Sequence, residues 1–193
     1  MLGQLQIIGY FLGYIFNTQS AWVIILVLCV MVIASSWIAL RTVELQRKQL
    51  FGIVLISMTV GGGSILALVT QGVLQAAPWF SAKIMIPMAG MIFSNALNSI
   101  SLAAERFNDE QSRGVAYEVA RNIAFRTSMI PIINSLFAVG LVSLPGMMTV
   151  QILSGVDPLI AARYQILVMA MIFASGGIAS AMYLTLIKKY RST

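Results

Sequence analysis

Six long apolar stretches, separated by short segments that hold nearly all the charged residues, run along the chain. A helix needs about 20 apolar residues to cross a bilayer, and these runs are too continuous for the alternating strands of a membrane β-barrel. The pattern therefore predicts an all-α, polytopic membrane protein with a single transmembrane domain over residues 1–193. The predicted helices span residues 2–16, 21–40, 50–74, 84–102, 127–144 and 158–187.

Composition agrees with this pattern and excludes some kinds of functional site. Hydrophobic residues make up 59% of the chain and charged residues 9%, and the mean hydropathy is +0.91. These values leave no room for a sizeable soluble domain. A single Cys excludes a disulfide within the chain, and the absence of His removes the commonest metal ligand.

The basic residues predict how the helices are oriented. Ten of the twelve fall on one side of the predicted bundle, and Lys83 and Arg163 fall on the other. Since Lys and Arg accumulate in cytoplasmic loops, both termini are predicted to be cytoplasmic. We therefore attribute the net charge of +6 to orientation and anionic lipid headgroups, and predict no nucleic-acid partner. The ten residues are Arg41, Arg47, Lys48, Arg106, Arg113, Arg121, Arg126, Lys188, Lys189 and Arg191.

The first predicted helix, residues 2–16, is short for a crossing and carries Gln4 and Gln6. It has no basic segment ahead of it and no small-residue cleavage site, so we expect no signal peptide. The weak start leads us to expect a further helix upstream of this sequence.

Polar residues at membrane depth are amides and hydroxyls rather than charged groups, which disfavours intrinsic ion coupling. They either form hydrogen bonds between helices or line a polar pathway. Glycines at 61–63, 90, 176 and 177 indicate close helix packing. No Lys follows the triple glycine as a phosphate loop requires, so we expect no ATP hydrolysis by the chain itself. The polar residues are Ser94, Asn95, Asn98, Ser99, Asn134, Ser135 and Gln165.

The fifth predicted helix is interrupted. Pro131 removes a backbone donor, Gly140 loosens the middle, and Pro145-Gly146 is predicted to end the helix near the outer face. The segment 145–157 is too apolar for a free loop and too short to cross, so we predict a re-entrant or interfacial segment. Asp157 is predicted to cap the last helix, with Pro158 at its first position.

Adjacent Met147 and Met148 lie in that interrupted segment. Thioethers select soft ions such as Cu(I), but Met also fills irregular gaps between helices. The sequence leaves both interpretations open.

Several motifs resemble a known family. The run Leu141–Thr149, preceded by Ile130-Pro131 and followed by Asp157-Pro158 and Arg163–Ile166, is similar to the FetB-like iron-export permeases. Residues Ile86–Ile92 with Asn95 are similar to the same family, so the resemblance covers about residues 2–188. Plant aluminium-tolerance permeases look related to these proteins.

This resemblance implies a non-enzymatic permease subunit of an ABC transporter in the inner (plasma) membrane. It would act as a homodimer and export iron or another metal ion with ATP hydrolysed by a separate cytoplasmic ATPase subunit; no cofactor is expected in the chain itself. The predicted ATPase contacts, in the cytoplasmic segment 103–126, are Val115, Glu118, Arg121 and Arg126. The predicted transport path comprises Asn95, Asn98, Asn134, Ser143, Pro145, Gly146, Met147, Met148 and Thr149.

The chain departs from the family pattern at several points. Family members carry one further N-terminal helix and a Leu-Gly-Ala turn in the segment that corresponds to residues 103–126. Here that segment predicts one helix with possible i,i+4 pairs Arg106–Glu110 and Asp109–Arg113, a break at Gly114 and an amphipathic segment over 115–126. Phe137 stands where a Lys is expected, and Val150 replaces a Gly, which predicts altered electrostatics in the path and a stiffer turn. These departures keep two alternatives open: a truncated, non-transporting structural or regulatory membrane protein, and a passive metal channel.

Overall fold

The computed structural model describes residues 13, 15, 20–41 and 47–191, without the side chains of residues 47 and 189–191. The first predicted helix, residues 2–16, lies outside this part of the chain apart from residues 13 and 15. The described helices are α1 (Ala21–Ala39), α2 (Arg47–Ala67), α3 (Ala82–Ser112), α4 (Tyr117–Ala138), α5 (Gly146–Leu153) and α6 (Pro158–Arg191). A π-helical segment, Leu68–Val73, continues α2.

The described helices form a bundle around α3 and α6. Helix α3 packs against α1, α2, α4 and α6, and helix α6 also packs against α2, α4 and α5. Four segments are long and apolar enough to cross a membrane, which confirms the all-α, polytopic class for the described residues. The four are Ala21–Ala39, Lys48–Val73, Ala82–Ser112 and Pro158–Lys188.

Three glycines allow this packing, as the sequence predicted. A Cβ atom on Gly61 would lie 2.8 Å from the backbone nitrogen of Ala179, and a Cβ on Gly176 would lie 2.8 Å from the Ser99 hydroxyl. A Cβ on Gly62 would meet the Phe93 ring at 2.8 Å. Gly61 and Gly62 therefore allow α2 to approach α6 and α3, and Gly176 allows α6 to approach α3.

Two buried clusters occupy opposite ends of the bundle. The basic-end cluster, which includes Leu40, Leu50, Phe107, Ala120, Tyr183 and Ile187, joins the end of α1, the start of α2, the ends of α3 and α6 and the start of α4. The opposite-end cluster includes Ile24, Leu66, Ala82, Met85, Phe93 and Met171. Arg41, Lys48, Arg113 and Lys188 belong to helix ends that meet at the first cluster, whereas Lys83 adjoins Ala82 of the second.

Two helices extend further than the apolar pattern indicates. The helix predicted at residues 84–102 continues to Ser112, and the next helix begins at Tyr117 rather than at Thr127. Most of the segment 103–126 is therefore helical, which confirms the helix predicted there from its charge spacing, including the Arg106–Glu110 pair at 2.6 Å. Ala, Glu, Arg and Gln are good helix formers, so the charged residues mark where a membrane edge falls rather than where a helix stops. The break lies at Gly114, whose φ is +78°.

The interrupted helix ends earlier than residue 144. Helix α4 stops at Ala138, and the following turn is closed by the Ala138 carbonyl, which accepts hydrogen bonds from the backbone N–H groups of Leu141, Val142 and Ser143. Gly140 has a φ of +82°, a conformation that residues with a Cβ rarely adopt. Pro145-Gly146 consequently opens α5 instead of closing α4.

The cap of α6 is confirmed. The Asp157 Oδ1 accepts hydrogen bonds from the backbone N–H of Leu159 at 2.8 Å and from that of Ile160 at 3.4 Å, and Pro158 is the first residue of the helix. This arrangement satisfies two of the donors that a helix start leaves unpaired.

Candidate transport site

A polar cleft lies between α3, α4 and α6. It encloses about 120 Å³ and is lined on the α3 side by Asn95, Asn98 and Ser99. The Asn95 Nδ2 donates to the Met91 carbonyl at 2.9 Å, which orients the amide and leaves its oxygen available as an acceptor. The remaining lining residues are Leu102, Ser128, Pro131, Ile132, Ser135 and Ile172.

A larger apolar cavity lies on the interrupted segment. It encloses about 420 Å³ between the end of α4, the Gly140 turn, α5 and α6. Its lining residues are Leu136, Val139, Gly140, Leu144, Met148, Ala162, Gln165, Ile166, Met169, Ala170 and Phe173. Gln165 supplies the polar side chain of this lining, and it is only 6% exposed.

The predicted path residues do not all meet at one place. Asn95 and Asn98 line the polar cleft and Met148 lines the apolar cavity, whereas Asn134 is exposed and lines neither. Met147 packs against the opposite-end cluster, so packing accounts for one of the two adjacent thioethers.

The rest of the interrupted segment makes local contacts. The Thr149 hydroxyl donates to the Pro145 carbonyl at 3.1 Å, and the Ser143 carbonyl accepts a hydrogen bond from the Gly140 N–H at 3.1 Å. Gly146 is exposed at the start of α5. These residues shape the turn and the start of α5, and apart from Gly140 they are not among the lining residues of the polar cleft or the apolar cavity.

Two departures from the family pattern have little effect on this geometry. Phe137 is 75% exposed and lines neither the polar cleft nor the apolar cavity, so the loss of a cation there removes no charge from their walls. Val150 lies inside α5, where a glycine's access to positive φ is not needed. The expected changes in path electrostatics and turn stiffness therefore do not follow.

The described residues contain no group of three or more His, Cys, Asp or Glu side chains that could hold a metal ion. An ion in the polar cleft would meet amide, hydroxyl and backbone oxygens. Such oxygens suit harder cations than thioethers do.

The junction between α4 and the end of α6 is polar. Glu118 pairs with Lys188 at 2.9 Å and with Arg121 at 2.9 Å. The hydrogen bond from Lys188 is the main reason that the pKa of Glu118 lies below its usual value. The Tyr117 hydroxyl donates to the Leu184 carbonyl, and partial burial raises its pKa.

The four predicted ATPase contacts differ in accessibility. Val115 is half-buried against the basic-end cluster, Glu118 and Arg121 are held in ion pairs, and Arg126 is exposed. Sequence analysis missed the role of Lys188 here, because 70 residues separate it from Glu118 and no local spacing relates them.

A match to a protein-family model shows which family the chain belongs to. The family described as "Uncharacterised protein family (UPF0014)" matches residues 1–116 and 111–191. The chain belongs to the UPF0014 family. This membership confirms the resemblance and places the protein among multi-pass permeases of the inner membrane.

Named relatives from bacteria and plants cover most of the chain. It is 34% identical over 192 residues to UPF0014 membrane protein slr1647 of Synechocystis, covering 92% of this chain and 74% of the relative. It is 33% identical over 206 residues to "Probable iron export permease protein FetB" of Escherichia coli, covering 98% and 78%. It is 28% identical over 195 residues to "Protein ALUMINUM SENSITIVE 3" of Arabidopsis thaliana, covering 92% and 69%. No solved structure matches the chain.

Proposed function

We propose that this UPF0014 protein is the membrane-spanning permease subunit of an ABC-type transporter that exports iron or another metal ion with energy from a separate ATPase subunit. The observation that carries the proposal is the similarity to the Escherichia coli protein named an iron export permease, which covers 98% of this chain. Two copies of the permease would form the transmembrane part, with their termini in the cytoplasm.

The polar cleft is the proposed passage for the ion. Asn95 and Asn98 offer amide oxygens on α3, and Ser128 and Ser135 offer hydroxyls on α4. Oxygen ligands without a carboxylate would hold a cation loosely, as transport requires.

The basic end of the bundle is the proposed contact for the ATPase. The Glu118–Lys188 ion pair joins the start of α4 to the end of α6. A movement of the ATPase against this junction would therefore displace both helices together. Both helices continue to the walls of the polar cleft. This continuity offers a direct mechanical route from the cytoplasmic surface to the ion passage.

Efflux of radioactive iron tests the proposal. Cells that lack the native gene are loaded with the isotope and express either the wild-type chain, the double variant Asn95→Leu/Asn98→Leu, or the control Asn134→Leu. We expect efflux to be lost in the double variant and kept in the control, because Asn134 lines neither cavity. Equal efflux from all three chains, at equal amounts in the membrane, would contradict the polar cleft as the passage.

A further inference from the structure

Helix α4 ends before it has crossed the membrane. It stops at Ala138, 12 residues after Arg126, which corresponds to about 18 Å along the helix axis. The hydrocarbon core of a bilayer is about 30 Å thick, and α4 is not among the four described segments that are long and apolar enough to cross it. Because Arg126 marks the cytoplasmic edge, the end of α4 and the turn after it lie at membrane depth.

An asparagine lies on the exposed face of this part of α4. Asn134 is one turn after Ile130 and one turn before Phe137, and all three side chains are exposed. Within the described part of the chain, its amide makes no hydrogen bond. A polar side chain is costly against lipid, and amides in membrane helices bond to neighbouring helices instead. The Asn134 amide therefore requires a protein group that a single copy does not supply.

The turn after α4 has the same requirement. Leu141 is 89% exposed and Val142 is 82% exposed. The carbonyl groups of Gly140, Leu141 and Val142 accept no hydrogen bond from any described residue. Non-helical backbone at membrane depth is tolerated only where protein covers it or where it lines a water-filled cavity, and large apolar side chains disfavour water. Protein is the cover that satisfies both the backbone and the side chains.

We propose that this α4 face, defined as Ile130, Asn134 and Phe137 with Leu141 and Val142 of the turn, docks on the same face of a second copy of the chain. The two Asn134 amides are hydrogen-bonded to each other. A side-chain amide carries both donors and an acceptor, so two identical amides across a two-fold axis satisfy each other.

The composition of the α4 face also suits a copy of itself. None of its five residues is charged, so a surface that meets its own copy brings no like charges together. The inference rests on the two-copy assembly proposed above, and it names the surface through which the copies meet. It does not depend on the identity of the cargo or on the ATPase.

Disulfide crosslinking of the full chain in its native membrane tests the proposal. Cys29 is the single cysteine, so Cys29→Ser gives a background in which one cysteine is added at a time. We expect oxidation of Asn134→Cys to give a covalent dimer, because a two-fold axis beside this position brings two Cβ atoms within the about 4 Å that a disulfide needs. Phe137→Cys keeps the amide and should crosslink as well. Val30→Cys, exposed in the middle of α1, is the matched control and should stay monomeric.

Dilution in lipid tests the amide pair itself. Photobleaching steps of the labelled chain are counted in liposomes at falling ratios of protein to lipid. Asn134→Leu is expected to raise the protein density at half-dissociation by about three- to tenfold, the usual weight of a hydrogen-bonded contact between helices. Its apolar contacts remain, so pairing and efflux should persist at the density of a cell membrane. Asn122→Leu, exposed on the same helix but on the cytoplasmic side of Arg126, should leave the dissociation density unchanged.

Three results would overturn the proposal. An equal yield of dimer from Val30→Cys would indicate random collision in the membrane. No dimer from either α4 variant, or a disulfide product with the mass of another protein, would show that something else covers this face. An unchanged dissociation density in Asn134→Leu would show that the amides do not meet. Lost iron efflux with intact crosslinking would instead reject the proposed function and leave this interface standing.

Discussion

At the scale of single residues, adjacent glycines have different roles. Gly61 lies against the backbone of Ala179, whereas a Cβ on Gly63 would meet nothing within 4 Å. The sequence presents these glycines as one run, and pattern alone could not tell which of them faces another helix. Only the rotation of α2 against α6 decides this.

Gly61→Ala is predicted to destabilise the fold by about 1–3 kcal/mol, because its Cβ would overlap backbone that cannot move aside cheaply. Gly63→Ala, two residues away in the same helix, should leave stability unchanged or slightly raised. Thermal unfolding of both purified variants in the same detergent measures the difference. Equal stability of the two variants would show that α2 and α6 are not in close contact at Gly61.

The candidate sites show the same limit of sequence reasoning. The pattern correctly singled out polar residues within apolar helices, but whether Asn95 and Asn134 share a cleft depends on the angle between α3 and α4. Similarly, Glu118 and Lys188 pair only because α6 returns to the start of α4. Contacts between residues far apart in the chain require the packed bundle.

At the scale of helices, starts and stops with local chemical causes were the most predictable. The start of α6 could be predicted from Asp157 and Pro158 alone. A helix cap and a first helical position depend only on the neighbouring backbone donors, so no distant contact is needed to recognise them. The end of α4 was harder to predict, because Gly140 and Pro145-Gly146 both break helices. The structure uses the glycine for the turn and the Pro-Gly pair for the start of α5.

Asp157→Ala is predicted to loosen the first turn of α6 by about 0.5–2 kcal/mol, the usual cost of losing a side-chain cap. Hydrogen exchange at the amides of Leu159 and Ile160 should accelerate, while exchange in the middle of α6 stays unchanged. Asp157→Ser keeps an acceptor and is the control. Unaltered exchange at both amides in the Ala variant would contradict the cap.

At the scale of the whole molecule, most of the basic residues that are spread along the chain collect at one end of the helix bundle. Helix ends that carry Arg41, Lys48, Arg113 and Lys188 gather around the basic-end cluster. Charge counting could predict this arrangement because successive crossings alternate in direction. Hydropathy alone did not show that α3 and α4 continue as helices beyond the apolar stretches. The spacing of the charged residues and Gly114 did predict the helix after residue 102 and the break, and the Arg106–Glu110 pair at 2.6 Å confirms it.

Reporter fusions are predicted to find the C-terminus and the turn at Gly114 in the cytoplasm, and the segment 75–80 on the outer side. The physical reason is the preference of Lys and Arg for cytoplasmic loops. A fluorescent protein and alkaline phosphatase, each fused at these positions, report the two sides separately. Phosphatase activity at the C-terminus with fluorescence at 75–80 would mean that the bundle has the opposite orientation.

The central claim, that this chain is a permease coupled to a separate ATPase, is tested most directly by its partners. The C-terminus is tagged, the protein is extracted from its native membrane in mild detergent, and copurifying proteins are identified by mass spectrometry. Arg126→Glu changes the exposed predicted contact, and Arg163→Glu is the matched control outside the predicted contact segment.

We predict that an ATPase subunit copurifies in stoichiometric amount with the wild-type chain and the Arg163→Glu control, and is depleted from the Arg126→Glu variant. Its reproducible absence from a folded and abundant wild-type chain would contradict the coupled permease and favour a structural protein or a passive channel.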